Sequence, residues 1–292
     1  MTESAIWALT QRETSPRRIG INARERRNRK IFANSVLTVA WIGFLIPLVS
    51  LFVFSIRFPL TGVVDWGGWV GLFEFRGARK ATAELLWEGV FNSLAMAAVT
   101  VAIMLVLLIP TMVWIRLRLP KLQRIVEFIS LLPLTIPAIA LVVGLAPVYA
   151  WLSINLLGSH SIWLSLAYVV LVLPFSFRSL DAGLSAINVK TLSEAARSFG
   201  GSWPQVLLRV IVPNIRSAIV SATFVSIAVV LGEYTIASIL ARPNLQTALF
   251  QINLSDAQVS AAVSLLVLTL TTVGLVALDI ITSRKPARKE RS

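Results

Sequence analysis

The chain has 292 residues, of which 56% are hydrophobic and only 14% are charged. A soluble domain carries about 25% charged residues, so this deficit indicates a protein whose solvent is largely lipid. The absence of Cys excludes disulfides, zinc–thiolate sites and thiol nucleophiles, and the single His, His160, excludes a two-His metal motif.

Six stretches are apolar and uncharged over roughly the 20 residues that a helix needs to cross a bilayer. They are residues 31–56, 89–115, 128–154, 161–177, 217–232 with a continuation past Glu233 to about Leu240, and 259–278. The sequence therefore predicts an all-α polytopic membrane protein with six transmembrane helices. An even number of spans places both termini on the same side.

The basic residues predict which side that is. Of the 27 Lys and Arg residues, 22 lie in the two tails and two loops, 1–30, 116–127, 178–216 and 284–292. The other five lie in the loops predicted for the opposite side, 57–88, 155–160 and 241–258. Cytoplasmic loops carry the excess of Lys and Arg, so both termini are predicted to be cytoplasmic. The stretch ARERRNRK at 23–30 could bind nucleic acid or anionic lipid, but a topology anchor at the headgroups is the favoured interpretation. No nucleic-acid partner is predicted.

These observations divide the chain into four parts. A basic cytoplasmic tail covers 1–30, and a first transmembrane helix with an external segment covers 31–88. A five-helix core covers 89–281, and a second basic tail covers 282–292. The end of the external segment, ATAELLWEGVFNSL, is predicted to form a short interfacial helix before the second span.

The loop before the fifth span is unusually polar for this chain, with the sequence TLSEAARSFGGSWPQVLLRVIVP at 191–213. Thr191 and Glu194 have the spacing of a capping box, and Gly200 has the position of a helix stop. A second capping box, S-x-x-Q, follows at 202–205 and is predicted to start another helix. The thin Ala195–Ala196 surface would suit docking on another protein, whereas the apolar stripe that begins at Trp203 would suit a helix lying on the bilayer. The rigid double capping favours docking, because a plain connector does not need it.

This loop resembles the EAA loop of binding-protein-dependent ABC importer permeases. The pattern of that family is E-A-A, three residues, G, nine residues, I-x-L-P, and Val210 and Val212 stand here in place of its Ile and Leu. The resemblance implies that the first helix of the loop inserts into a cleft on a separate ATPase subunit. The residues to which it assigns this coupling are Glu194, Ala195, Ala196, Arg197, Ser198, Phe199, Gly200 and Pro213.

The resemblance also implies a set of partners in a bacterial cell membrane. They are a second permease subunit, two copies of an ATPase, an extracellular or periplasmic solute-binding protein, and membrane lipid. ATP and Mg²⁺ would belong to the ATPase, because this chain lacks the G-x-x-x-x-G-K-[ST] motif. The chain itself is expected to be non-catalytic and to bind no cofactor. A membrane-embedded enzyme or an ATPase-independent channel or scaffold is the alternative from another class.

The cargo is less closely specified than the family. The stretches LPFSFRSLDAGLSAI and LGEYTIASIL are similar to the second permease of the spermidine/putrescine class, which also includes permeases for phosphonate, thiamine and ferric iron. Glu233 is the only acidic residue interior to a span, and a carboxylate there is expected to face a wet cavity or the bundle interior. It is therefore predicted, with Tyr234 and Thr235, to line the path of a cationic cargo. The alternative is a structural acid hydrogen-bonded between helices.

Overall fold

The computed structural model describes residues 23–57, 62–74 and 80–283. Most of the two basic tails and part of the external segment lie outside the described residues. Within them the regular structure is helical, apart from one isolated antiparallel bridge between Arg57 and Val64. The prediction of an all-α protein is confirmed.

The main helices follow one another along the chain, with a short helix at Gly67–Val70 in the segment between the first two. They are α1 (Ala23–Ile56), α2 (Lys80–Arg118), α3 (Gln123–Leu131), α4 (Ala138–Leu152), α5 (Ser165–Ser185), α6 (Val189–Ser198), α7 (Trp203–Asn214), α8 (Arg216–Leu231), α9 (Thr235–Ile239), α10 (Leu245–Ser255) and α11 (Ala257–Ser283). Among the described residues, five helices are long and apolar enough to cross a membrane. The count is six if α7 and α8, bent by 80° at their junction, form one span. The chain is thus a multi-pass membrane protein.

Two helix starts differ from expectation. Helix α1 begins at Ala23, inside the predicted tail, and α2 begins at Lys80, so the predicted interfacial helix is continuous with the second span. The 39 residues of α2 give a length of about 58 Å at 1.5 Å per residue, well beyond the ~30 Å hydrocarbon core. Helix α2 is therefore longer than a single membrane crossing requires.

The predicted third span, 128–154, is not one continuous helix. Helix α3 passes into a short 3₁₀ turn at Leu132–Thr135, and α4 begins only at Ala138. Between them Ile136 is extended, because the ring of the following Pro137 disfavours helical geometry in the residue before it. The predicted third span is thus broken at Pro137, whereas α2 continues through Pro110 and α5 through Pro174.

The predicted fifth span also ends early. Helix α8 stops at Leu231, the chain turns, and α9 begins at Thr235, so the expected continuation to about Leu240 is wrong. The carboxylate of Glu233 accepts the backbone N–H groups of Ile236 at 2.7 Å and Ala237 at 3.3 Å. A side chain that caps the first amides of a new helix replaces the carbonyls that a continuous helix would supply.

The core lies within the compact unit that begins at Phe52 and is built mainly from α2, α5 and α8. Helices α5 and α8 approach closely at Gly183, where an added Cβ would collide with Ala218. The hydroxyls of Ser176 and Ser226 lie 2.8 Å apart across the same interface. Small residues and interhelical hydroxyl bonds are how membrane helices pack closely without a hydrophobic driving force.

Candidate functional site

The first helix of the polar loop, α6, begins earlier than predicted. The side chain of Asn188 accepts the backbone N–H of Thr191 at 3.1 Å, so Asn188 is the cap and helix α6 begins at Val189. The predicted box of Thr191 with Glu194 is therefore wrong: Asn is a strong cap and occupies the position three residues before Thr191. Glu194 instead pairs with Lys190 at 3.9 Å, and both side chains are exposed.

The end of α6 is as predicted. Gly200 has a φ of +83°, a conformation that glycine adopts without steric cost. Its N–H donates to the carbonyl of Arg197 at 2.9 Å, and the N–H of Gly201 donates to the carbonyl of Ala196 at 3.1 Å. These two bonds form a Schellman motif. The second capping box is confirmed as well, because the N–H of Ser202 donates to Gln205 Oε1 at 2.9 Å.

Helix α6 turns one face to the protein and the other outward. Val189 and Ser193 are buried, and Leu192 and Ala196 pack against the core. The outer face carries most of the residues assigned to coupling, and Phe199 at its end is 92% exposed. Of the coupling residues from 194 to 200, all but Ala196 are exposed, whereas Pro213 lies apart from them in the last turn of α7, next to the 80° bend.

A cluster of two Trp and two Arg side chains joins this loop to the end of α2. The guanidinium of Arg197 lies 4.8 Å from the ring centre of Trp203. Arg118 lies 5.9 Å from the same ring and 5.8 Å from that of Trp114. Sequence reasoning missed this cluster, although the i, i+4 spacing of Trp114 and Arg118 at the end of a span was a usable signal.

Glu233 is 7% exposed and lies between helices. Besides the two amides of α9, its carboxylate accepts the hydroxyl of Tyr168 at 3.0 Å, and its backbone carbonyl accepts Asn244 Nδ2 at 2.6 Å. All its described carboxylate partners are donors, as a carboxylate requires. This geometry is the one expected for a structural acid that is hydrogen-bonded between helices. Contact between the carboxylate and the cargo stays a prediction.

Asn244 extends this network to two further helices. Its side chain accepts the N–H of Thr247 at 2.8 Å and so caps α10. The next residue, Leu245, donates its N–H to Ser93 Oγ on α2 at 2.8 Å. Neither Tyr168 nor Asn244 was predicted, since nothing in their local sequence shows that they meet residue 233.

Tyr234 and Thr235 differ from Glu233 in their surroundings. Thr235 is half-buried as the first residue of α9, but Tyr234 lines a cavity of about 380 Å³. The ring of Phe250 lies 5.6 Å from that of Tyr234. The other lining residues are Ala237, Ser238, Ala241, Arg242, Pro243, Thr247 and Gln251. The volume is in the range of small-molecule sites, and Arg242 is the charged residue in its wall.

Arg242 is held by the turn that follows α4. Its Nη2 donates to Ser153 Oγ at 2.8 Å, and its Nη1 donates to the carbonyl of Ser159. The cavity therefore combines two aromatic rings, several hydroxyl and amide groups, and a fixed positive charge. Among the described residues there is no cluster of three side chains suited to a metal ion.

Comparison with known proteins identifies a family that this chain matches and one relative. Residues 116–285 match the family described as "binding-protein-dependent transport system inner membrane component", a range that includes α6, α7 and the Tyr234 cavity. The chain is also 31% identical over 206 residues to a probable ABC transporter permease protein, y4fN, of Sinorhizobium fredii. That match covers 66% of this chain and 35% of the relative, so the chain spans about a third of the relative's length.

Proposed function

Because the chain belongs to the family of binding-protein-dependent transport system inner membrane components, we propose that it is a permease subunit of an ATP-driven importer. In this proposal it forms part of the substrate path and is itself non-catalytic. It assembles with a second permease, two copies of an ATPase that bind ATP and Mg²⁺, and an external solute-binding protein. Both termini face the cytoplasm of a bacterial cell. The observation that carries the proposal is the outward face of α6.

That face has the chemistry of a protein docking surface. The apolar side chains of α6 face the core, which leaves the Lys190–Glu194 pair, Arg197 and Ser198 outward, so α6 has no apolar face for the bilayer. The exposed aromatic ring of Phe199 is the exception, and a single large apolar group on a polar face is typical of an anchor that enters a partner's pocket. This favours docking over a surface helix.

Coupling requires that α6 move as a rigid element. Its Asn188 cap and its Schellman end fix both termini, and the Arg197–Trp203 contact ties it to α7 and α2. When the ATPases close, α6 is carried with them and displaces the helices to which it is attached. The bundle would then alternate between inward and outward openings as packed units.

Replacing Ala195 tests the docking surface. Ala195 is exposed, so Ala195→Trp is compatible with folding but holds a closely fitting partner away from α6. We expect loss of the ATPase that copurifies with the natural chain, and loss of transport, with normal membrane insertion. Ala195→Ser, which adds only one oxygen, is the matched control and retains both. Normal transport by Ala195→Trp would show that α6 is not the docking helix.

For the cargo we propose a polyamine of the spermidine/putrescine type. The resemblance of the segments at 173–187 and 231–240 supports this choice. The faces of Tyr234 and Phe250 add a physical reason, since aromatic faces attract ammonium groups, by roughly 0.5–1 kcal/mol at exposed sites. The path would run past residues 233–235, where the Tyr234 ring would contact the cargo. The Glu233 carboxylate would hold the backbone of this segment in place through its hydrogen bonds.

One observation favours a second candidate, an anionic cargo such as a phosphonate. The lining of the Tyr234 cavity includes Arg242 and no acidic residue, so its fixed charge repels a polyamine and attracts an anion. Arg242→Gln distinguishes the two when uptake is measured per assembled complex. Polyamine uptake is expected to be unchanged or faster, whereas anion uptake falls and Arg242→Lys restores it. Polyamine uptake that falls in Arg242→Gln and returns in Arg242→Lys would contradict the electrostatic argument.

A further inference from the structure

A second cavity lies between the end of α2 and α7, on the side of the protein where the basic loops gather. Its volume is about 310 Å³, and it opens to the surface. Every lining side chain is apolar or aromatic: Pro110, Val113, Trp114, Leu117, Trp203, Pro204, Val206, Leu207 and Leu208. Leu208 is 64% exposed and Trp114 is 52% exposed, so this groove presents apolar surface that no described part of the chain covers.

The mouth of this groove carries two positive charges. Arg118 and Arg197 lie over the Trp114 and Trp203 rings that form part of the wall, at 4.8 to 5.9 Å from the ring centres. Both side chains are exposed, and among the described residues no carboxylate lies within ion-pair distance of either. By contrast Arg116, two residues away, is bound to Asp181 at 2.5 Å and to Ser185. Arg118 and Arg197 are thus free to bind an anion.

We infer that this groove binds an anionic phospholipid of the cytoplasmic leaflet, with an acyl chain in the groove and the phosphate between Arg118 and Arg197. The groove is long enough for part of an acyl chain. Pro110 at its inner end lies eight residues before Arg118 on α2, which is about 12 Å along the helix at 1.5 Å per residue. A guanidinium offers forked donors to a phosphate, and Trp rings favour the headgroup level. Anionic lipids supply the complementary charge on the cytoplasmic leaflet.

The lipid would join elements that belong to different parts of the chain. Arg118 is the last residue of α2, Arg197 lies on α6, and Leu208 lies on α7. A phosphate held by both arginines therefore ties the loop helix to the membrane span through a molecule from the bilayer. This site shares Arg197 with the face proposed for ATPase docking but is separate from the Tyr234 cavity. Lipid retention is measured on this chain without ATPase, ATP or cargo, so its failure and that of the transport proposal are distinguishable.

Lipid retention by the purified full-length chain tests the inference. The protein is placed in nanodiscs of phosphatidylcholine with a minor fraction of phosphatidylglycerol, and the lipids that remain bound are counted by native mass spectrometry. We expect at least about a tenfold preference for phosphatidylglycerol, because two basic residues at the surface each contribute roughly 1 kcal/mol. The double variant Arg118→Gln/Arg197→Gln should lose this preference, and Arg118→Lys/Arg197→Lys should keep most of it.

Matched variants separate a specific site from general surface charge. Lys121→Gln/Arg124→Gln removes two exposed charges from the same basic region and should leave the preference unchanged. Leu208→Glu puts a carboxylate in the groove and should release the lipid, whereas Leu208→Met should not. Glycerophosphoglycerol, which has the headgroup but no acyl chains, should not displace it.

Three results would overturn the inference. Equal retention of the two lipids would show that the groove does not select an anionic lipid. An equal loss of the phosphatidylglycerol preference in the Lys121/Arg124 variant would show that only net charge matters. Displacement by glycerophosphoglycerol would identify a site for small anions that does not use the groove.

Discussion

Replacement of Glu233 by Gln is the sharpest test of the network at the end of α8. The change keeps the shape of the side chain but turns one acceptor oxygen into a donor NH₂. If the remaining oxygen stays on the N–H of Ile236, at 2.7 Å in the natural chain, the new NH₂ faces the N–H of Ala237. The hydroxyl of Tyr168 can rotate to accept, but a backbone N–H cannot. Flipping the amide only transfers the loss to Ile236.

The expected cost follows from this geometry. One buried backbone donor loses its acceptor, which costs about 1–3 kcal/mol. The remaining bonds are also weakened, because hydrogen bonds to a carboxylate are roughly twice as strong as those between neutral groups. Glu233→Gln should therefore lower the thermal unfolding midpoint of the purified protein by several degrees. Tyr168→Phe, which removes one donor and leaves both amides capped, should cost less.

Glu194→Gln is the matched control. It makes the same chemical change at an exposed carboxylate whose partner, Lys190, is also exposed and 3.9 Å away. An exposed pair of this kind contributes about 0.3–0.5 kcal/mol, so the midpoint should barely move. If Glu233→Gln unfolds at the same temperature as the natural protein, the cap does not stabilise the fold and the reasoning from its hydrogen bonds is refuted.

Uptake measured on the same variant separates the cargo hypotheses. A purely structural Glu233 predicts less assembled complex with little change in uptake per complex. Direct contact with a cationic cargo predicts normal assembly with slower uptake, because the attracting charge is gone. An anionic cargo predicts no loss or a gain. Unchanged polyamine uptake per complex would therefore remove the reason for placing the Glu233 carboxylate in contact with cargo.

Two further predictions concern topology and backbone strain. Single Cys residues at Ser198 and Ser255, both exposed in this Cys-free chain, should react with membrane-impermeant thiol reagents from opposite sides of the membrane; labelling of both from outside intact cells would contradict the predicted orientation. Gly200→Ala should destabilise the protein by about 1 kcal/mol, because φ is +83° at this residue and a Cβ is strained in the left-handed region. Ala241→Gly should stabilise the protein by up to about 1 kcal/mol, because it removes a Cβ from a residue whose φ is +50°. Thermal unfolding midpoints that move in the same direction for both would contradict the strain argument.

Much of the fold was predictable because its causes are local. A run of about 20 apolar residues is by itself a strong signal for a spanning helix, and α2 and α11 lie close to their predicted positions for this reason. The left-handed conformation at Gly200 and the box at Ser202 were equally predictable, since a helix end is specified by three or four neighbouring residues. The same local rules misplaced the start of α6 because Asn188 was overlooked as a competing cap.

Tertiary structure decided whatever depends on residues far apart in the sequence. Proline is tolerated inside α2 at residue 110 but breaks the third predicted span at 137, and the sequence alone does not distinguish the two surroundings. Glu233 was visible as an acid in an apolar stretch, but its role depends on Tyr168, 65 residues earlier. The Arg118–Trp203 contact likewise joins residues 85 positions apart. Such contacts arise only when helices pack, because burial of a polar group requires partners that the packed neighbours must provide.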